Sequence, residues 1–96
     1  MRSFVPLLPL VLGLLAGAAH AQEPCYADYK ASREQPLELQ YGVAEIRGEC
    51  SVPAAEQELR PRLAAGGWQL LQVIATFGEA GARERRESAG EYYLEY

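Results

Sequence analysis

Ser51 to Phe77 reads SVPAAEQELRPRLAAGGWQLLQVIATF, a helical pattern that gives way at two glycines to a strand pattern. Ser51 is placed to cap a helix, Pro53 falls in the first turn where its missing N–H costs little, and Gly66 is a natural stop. Val52, Ala55, Leu59 and Leu63 recur at intervals of three and four, so they share one face. Glu56 with Arg60 and Glu58 with Arg62 are acid-before-base pairs four apart on the exposed side, in the order the helix dipole favours. Pro61 denies the Gln57 carbonyl its donor, which predicts a kink or two short helical pieces. Trp68 to Phe77 is rich in large and β-branched residues and apolar on both sides through Leu70, Leu71, Val73 and Ile74, which predicts a buried strand.

Upstream, Pro36 to Arg47 reads PLELQYGVAEIR. Leu37, Leu39, Tyr41 and Val43 alternate with Glu38, Gln40 and Gly42 and predict a half-buried strand. The phase slips between Val43 and Ile46, and Gly42 is the candidate for a bulge that absorbs the slip. Downstream, residues 78–90 form a polar stretch, GEAGARERRESAG, without one large apolar residue, read here as a loop. Glu91 to Tyr96, EYYLEY, alternates Tyr92, Leu94 and Tyr96 with Tyr93 and Glu95 as a closing strand. The simplest architecture is α+β: a three-stranded, mainly antiparallel β-α-β-β sheet covered by one helix, with a cysteine-anchored N-terminal segment before it. A closing strand slotted between the other two would make a split β-α-β.

The other end of the chain speaks of address. Residues 1–21, MRSFVPLLPLVLGLLAGAAHA, combine one positive charge at Arg2, an apolar run and a small-residue terminus, the three parts of a secretory signal peptide. A spanning anchor needs roughly 20 apolar residues, and only Leu10 to Ala19 run unbroken after Pro9. Cys25 follows Glu23-Pro24, which disfavours lipidation. Ala16-Gly17-Ala18 also offers a cleavage point, but the change of composition at Gln22 favours cleavage near Ala21. The expected product is one small periplasmic or secreted domain over residues 22–96. Loss of Arg2 takes the formal charge from −4 to −5, and the only histidine, His20, goes with the leader. An acidic domain is a poor match for nucleic acid or an anionic membrane surface.

Cys25 and Cys50 are the only cysteines, and in an oxidising compartment they are expected to pair. The bridge would close a loop of about 25 residues, worth roughly 3–4 kcal/mol in the chain-entropy description. No C-x-x-C is present, so a thioredoxin-like redox pair and ordinary covalent haem attachment have no support.

Leu63 to Leu71, LAAGGWQLL, resembles the L-x-x-x-G-W-E-L-V signature of a widespread family of small bacterial domains of unknown function. With CYADYK near its start, YGV in the first strand and a Tyr-rich end, the chain is also similar to small uncharacterised exported proteins of Gram-negative bacteria. The resemblance implies a β-α-β-β fold and no activity, with the glycine turn delivering Trp68 into the core. Gln69 in place of the acidic residue, the leader and the cysteines depart from the pattern.

A mature chain without histidine has no Ser-His or Cys-His pair and lacks the usual nitrogen ligand for zinc or copper, so neither metal nor cofactor is expected. A carboxylate enzyme is the least favoured class. Arg83, Arg85 and Arg86, interleaved with Glu84 and Glu87, are candidates for an anion or acidic-partner site; the plainer reading of such a run is a solvated face or a short exposed helix. Tyr92, Tyr93 and Tyr96, with Tyr41, are candidates for an aromatic binding surface, against the plainer reading that they complete the core. Glu84, Glu87 and Glu91 show no calcium-loop spacing. The expected function is non-enzymatic: binding of an envelope or extracellular protein, with a module for a small ligand or an envelope polymer as the alternative.

Overall fold

The computed structural model describes residues 23–96, so the leader reading of residues 1–21 lies outside the described residues. The chain enters a strand at once: β1, Cys25–Arg33, turns back into β2, Glu38–Ile46, with unbroken antiparallel register from Cys25 opposite Ile46 to Arg33 opposite Glu38. Helix α1, Val52–Ala65, then crosses to β3, Gln69–Phe77, which pairs antiparallel with the other side of β1. The sheet is therefore three-stranded and antiparallel in the order β2-β1-β3, with helix packing and the expected disulfide.

β2 and β3 both run against β1, so with α1 they form a split β-α-β. Its slot is filled by the N-terminal strand and not by residues 91–96. Period-two alternation explains the choice: Cys25, Ala27, Tyr29 and Ala31 all point into the helix-side core, the last three with no exposed surface. Alanine carries little hydrophobic signal, but on a central strand beneath a helix its small size admits close packing. Residues 91–96 cannot replace it. Gly90–Tyr92 form a 3₁₀ turn, Leu94 takes a φ of +60°, and only a single parallel bridge, Val43 with Tyr93, joins this segment to the edge of β2.

Residues 78–90 are not a loop. They form two short helices, α2 (Glu79–Glu84) and α3 (Arg86–Ala89), which cover part of the face opposite α1. Ala82 and Ala89 seat them against Val43 in a second small core. Val43 and Ala44 are thus both fully buried on opposite faces, which accounts for the phase slip without a bulge at Gly42. Gly42 instead makes room for an aromatic ring, since a Cβ there would sit 2.5 Å from the Tyr29 hydroxyl oxygen and 2.6 Å from its Cζ. The register shifts fall on β3, where pairing with β1 skips Leu71 and Ile74.

Helix α1 runs unbroken through Pro61, contrary to the two-piece expectation. Ala55, Leu59 and Leu63 are buried and hold it to the sheet, and the Ser51 hydroxyl accepts from the Ala54 N–H at 3.3 Å. Of the two expected helix pairs only Glu58–Arg62 appears among the ion pairs, at 2.9 Å. Glu58 also accepts from the backbone N–H groups of Arg47 and Gly48, each at 2.9 Å, so it anchors the turn after β2. Arg62 donates to the Glu45 carbonyl at 2.9 Å and to the Tyr96 main-chain oxygen, tying the C-terminal segment to the helix. The Cys25–Cys50 bridge, with Cα atoms 5.9 Å apart, fastens the start of β1 to the residue before the helix cap.

Candidate binding surface

Asp28 is the one buried carboxylate among the described residues, 4% exposed on the central strand and facing away from α1. An isolated charge there would be costly, and the chain surrounds it with donors. The Tyr41 hydroxyl donates to Oδ2 at 2.8 Å, the Arg85 Nε at 3.1 Å, and the Ala75 N–H to Oδ1 at 3.0 Å. The Arg85 guanidinium carbon sits over the Phe77 ring, 4.0 Å from its centroid, and Arg85 donates to the Gly81 carbonyl at 2.9 Å. Burial, and then the hydrogen bond to Asp28, push the Tyr41 hydroxyl up to about 12. This constellation clips the C-terminal helices onto the sheet.

Arg83, Arg85 and Arg86 therefore differ in employment. Arg85 is bound inward, Arg83 stands exposed, and the exposed Arg86 lies 5.6 Å from the Tyr93 ring. Tyr92 and Tyr96 belong to the opposite face, packed against the helix-side core. Tyr92 meets Trp68 edge-on with centroids 5.7 Å apart, and the Tyr96 hydroxyl accepts from the Trp68 Nε1 at 3.0 Å. The Arg33 guanidinium sits 4.2 Å from the Trp68 ring centroid. The candidates singled out from the sequence thus divide between two faces, with Tyr92 and Tyr96 on the helix side and Tyr41, Tyr93 and the arginines on the other, and do not converge. Tyr29, raised by burial, donates to the Gln40 Oε1 inside the core; the Gln40 Nε2 has no partner among the described residues.

The covering helices reach only part of the outer face. Beyond Asp28, toward the β1–β2 turn, Lys30, Leu39, Tyr41 and Leu71 surround a recess of about 240 Å³ whose floor includes Ala31 and Gln40. Leu39 is 70% exposed and Leu71 52%. Lys30 is the only lysine of the chain, and among the described residues no carboxylate forms an ion pair with it. A second recess, about 570 Å³, flanks the disulfide between Glu23, Ile46 and Glu49. Sequence reasoning passed over this use of Lys30, Leu39 and Leu71; the available signal was a lone lysine on an alternating strand.

Among the described residues no group of three His, Cys, Asp or Glu side chains is placed to hold a metal ion, and no helix is long and apolar enough to cross a membrane. The disulfide is compatible with an oxidising compartment. No protein-family model matches the chain, and no curated protein or solved structure matches it.

Proposed function

We propose that this protein is a non-enzymatic periplasmic or secreted domain that works by binding a protein partner on the uncovered part of its sheet. The observation that carries the reading is the pairing of two exposed leucines, Leu39 and Leu71, with an ammonium group that forms no ion pair with a carboxylate among the described residues. Exposed apolar surface around a single cation suits a segment that presents a carboxylate next to apolar side chains. The one buried carboxylate among the described residues accepts from three donors, which fits a structural part better than an acid–base one. A photo-crosslinking side chain placed at Leu39 tests this in cells. The expected adduct maps to a partner peptide bearing an acidic residue beside apolar ones and disappears with Lys30→Glu; no adduct, or one indifferent to Lys30→Glu, refutes the reading.

The recess at Lys30 also favours a second reading, a module for a small ligand with an acidic head and an apolar body. Dodecanoate titrated into the labelled protein would then shift amide resonances of β1 and β2 with saturation, and dodecanol would not.

A further inference from the structure

We propose that the free edge of β3 pairs antiparallel with β3 of a second copy of this chain, joining two sheets into one of six strands. The two edges of the sheet are treated differently. At β2 the C-terminal segment closes in, with the Val43–Tyr93 bridge and a 2.8 Å hydrogen bond from the Leu94 N–H to the Val43 carbonyl. At β3 every ladder contact goes to β1, and no other described segment bridges to its outer side. Among the described residues the nine-residue strand therefore presents a row of unpaired backbone groups on its outer side, a template for another strand.

The composition of β3 matches this role and points to the occupant. Edge strands are ordinarily guarded by charge or proline. QLLQVIATF has neither, whereas β1 carries Asp28, Lys30 and Arg33 and β2 carries Glu38 and Glu45. Bulges can also guard an edge, yet the residues that the two register shifts set apart are Leu71 and Ile74, 52% and 41% exposed. In a two-fold antiparallel pair, residues equally far from the axis on opposite sides face each other, so only a strand without charge meets itself free of like-charge opposition in every register. Of the three strands only β3 has no charged residue, so it alone has that freedom. Self-pairing also lays the two Lys30 faces side by side on one broader sheet. Leu71 serves both readings, but Leu39 and Lys30 lie off the β3 edge and Ile74 lies outside the recess, so Ile74→Lys tests the pairing apart from the partner reading.

Sedimentation velocity on the oxidised full chain, over a concentration series to millimolar, tests the pairing together with amide exchange. Expected are a monomer–dimer equilibrium and slowing of exchange with concentration confined to Gln69–Phe77. Ile74→Lys and, separately, Leu71→Lys are expected to raise the dimer dissociation constant about tenfold or more, and Leu39→Lys is expected to leave it unchanged. Should one β3 variant lose its fold by circular dichroism, the other and the exchange data decide. A monomer at all concentrations overturns the proposal, whether the β3 amides exchange freely or are protected by the chain's own residues 1–22. A dimer indifferent to both folded β3 variants overturns it as well.

Discussion

Replacing Asp28 by Asn keeps the shape of the side chain and removes its charge, which isolates the clip between β1 and the C-terminal helices. The Oδ1 oxygen that accepts from Ala75 survives, but an amide nitrogen turned toward Arg85 sets donor against donor. Breaking a buried pair from one side costs about 3–5 kcal/mol. The Arg85 side chain is 32% exposed, so water recovers part of that, and about 2 kcal/mol is expected for Asp28→Asn. Arg85→Gln leaves the carboxylate two neutral donors and should cost about 1 kcal/mol. In the double variant neither charge is stranded, so the two losses should fall short of additivity by about 1 kcal/mol. Urea unfolding of the oxidised protein measures all four corners of the cycle, and amide exchange in residues 79–93 shows whether the helices lift first. Additivity within about 0.3 kcal/mol would refute the reasoning, since it would mean that Arg85 does not answer the Asp28 charge.

Gly42→Ala should destabilise by about 1–3 kcal/mol in urea unfolding, because its Cβ would strike a Tyr29 ring with no exposed surface to retreat to. Cys25→Ser with Cys50→Ser should lower stability by about 3 kcal/mol at unchanged helix content by circular dichroism, since the bridge closes a 25-residue separation. Tyr41, held neutral in the fold up to about 12 against an ordinary value of 10.0, favours folding below pH 10, and that advantage drains away as pH rises toward 12. Tyr41→Phe should make that decline shallower in the alkaline unfolding curve, with the buried Tyr29 keeping its own share of it. For Glu58, burial pushes the carboxyl up, but the Arg47 and Gly48 N–H groups and Arg62 outweigh it and hold the value below 4.5. Its contribution is present above pH 4.5 and is lost as pH falls below that, so Glu58→Gln should flatten the acid limb of stability against pH.

Much of the fold was legible where one segment carried its own evidence. Ser51, Pro53 and Gly66 bracket a helix that the structure places at Val52–Ala65, and the apolar run before Phe77 is β3. It is an edge strand with Leu71 and Ile74 exposed, not the buried strand expected, because its order in the sheet is set by distant pairing. The two-piece alternative at Pro61 failed because a rule about hydrogen bonds says nothing of the packing by Leu59 and Leu63 that holds the helix through it. β1 was hidden by its alanines, and α2 and α3 by theirs: a small residue looks neutral in sequence and becomes decisive only against a neighbouring surface. The tyrosine-rich end looked like a strand because alternation is visible in sequence, whereas a positive φ at Leu94 is not.

The candidate site was less legible still. Arg83, Arg85 and Arg86 read as one run, but Asp28 lies 57 residues from Arg85, and nothing local announces which arginine it will claim. Lys30, Leu39 and Leu71 come from three strands and meet only through register.

By itself the sequence determined the helix and its caps, the strand after it, a neutral β3 and a pair of cysteines, because each is written in neighbouring residues or in plain counts. The tertiary structure alone decided which strand occupies the centre, why Gly42 must lack a side chain, which arginine answers Asp28 and which half of the outer face stays open. Those are contacts between residues far apart in the chain, and their energies depend on distance and burial, which exist only once the sheet has closed.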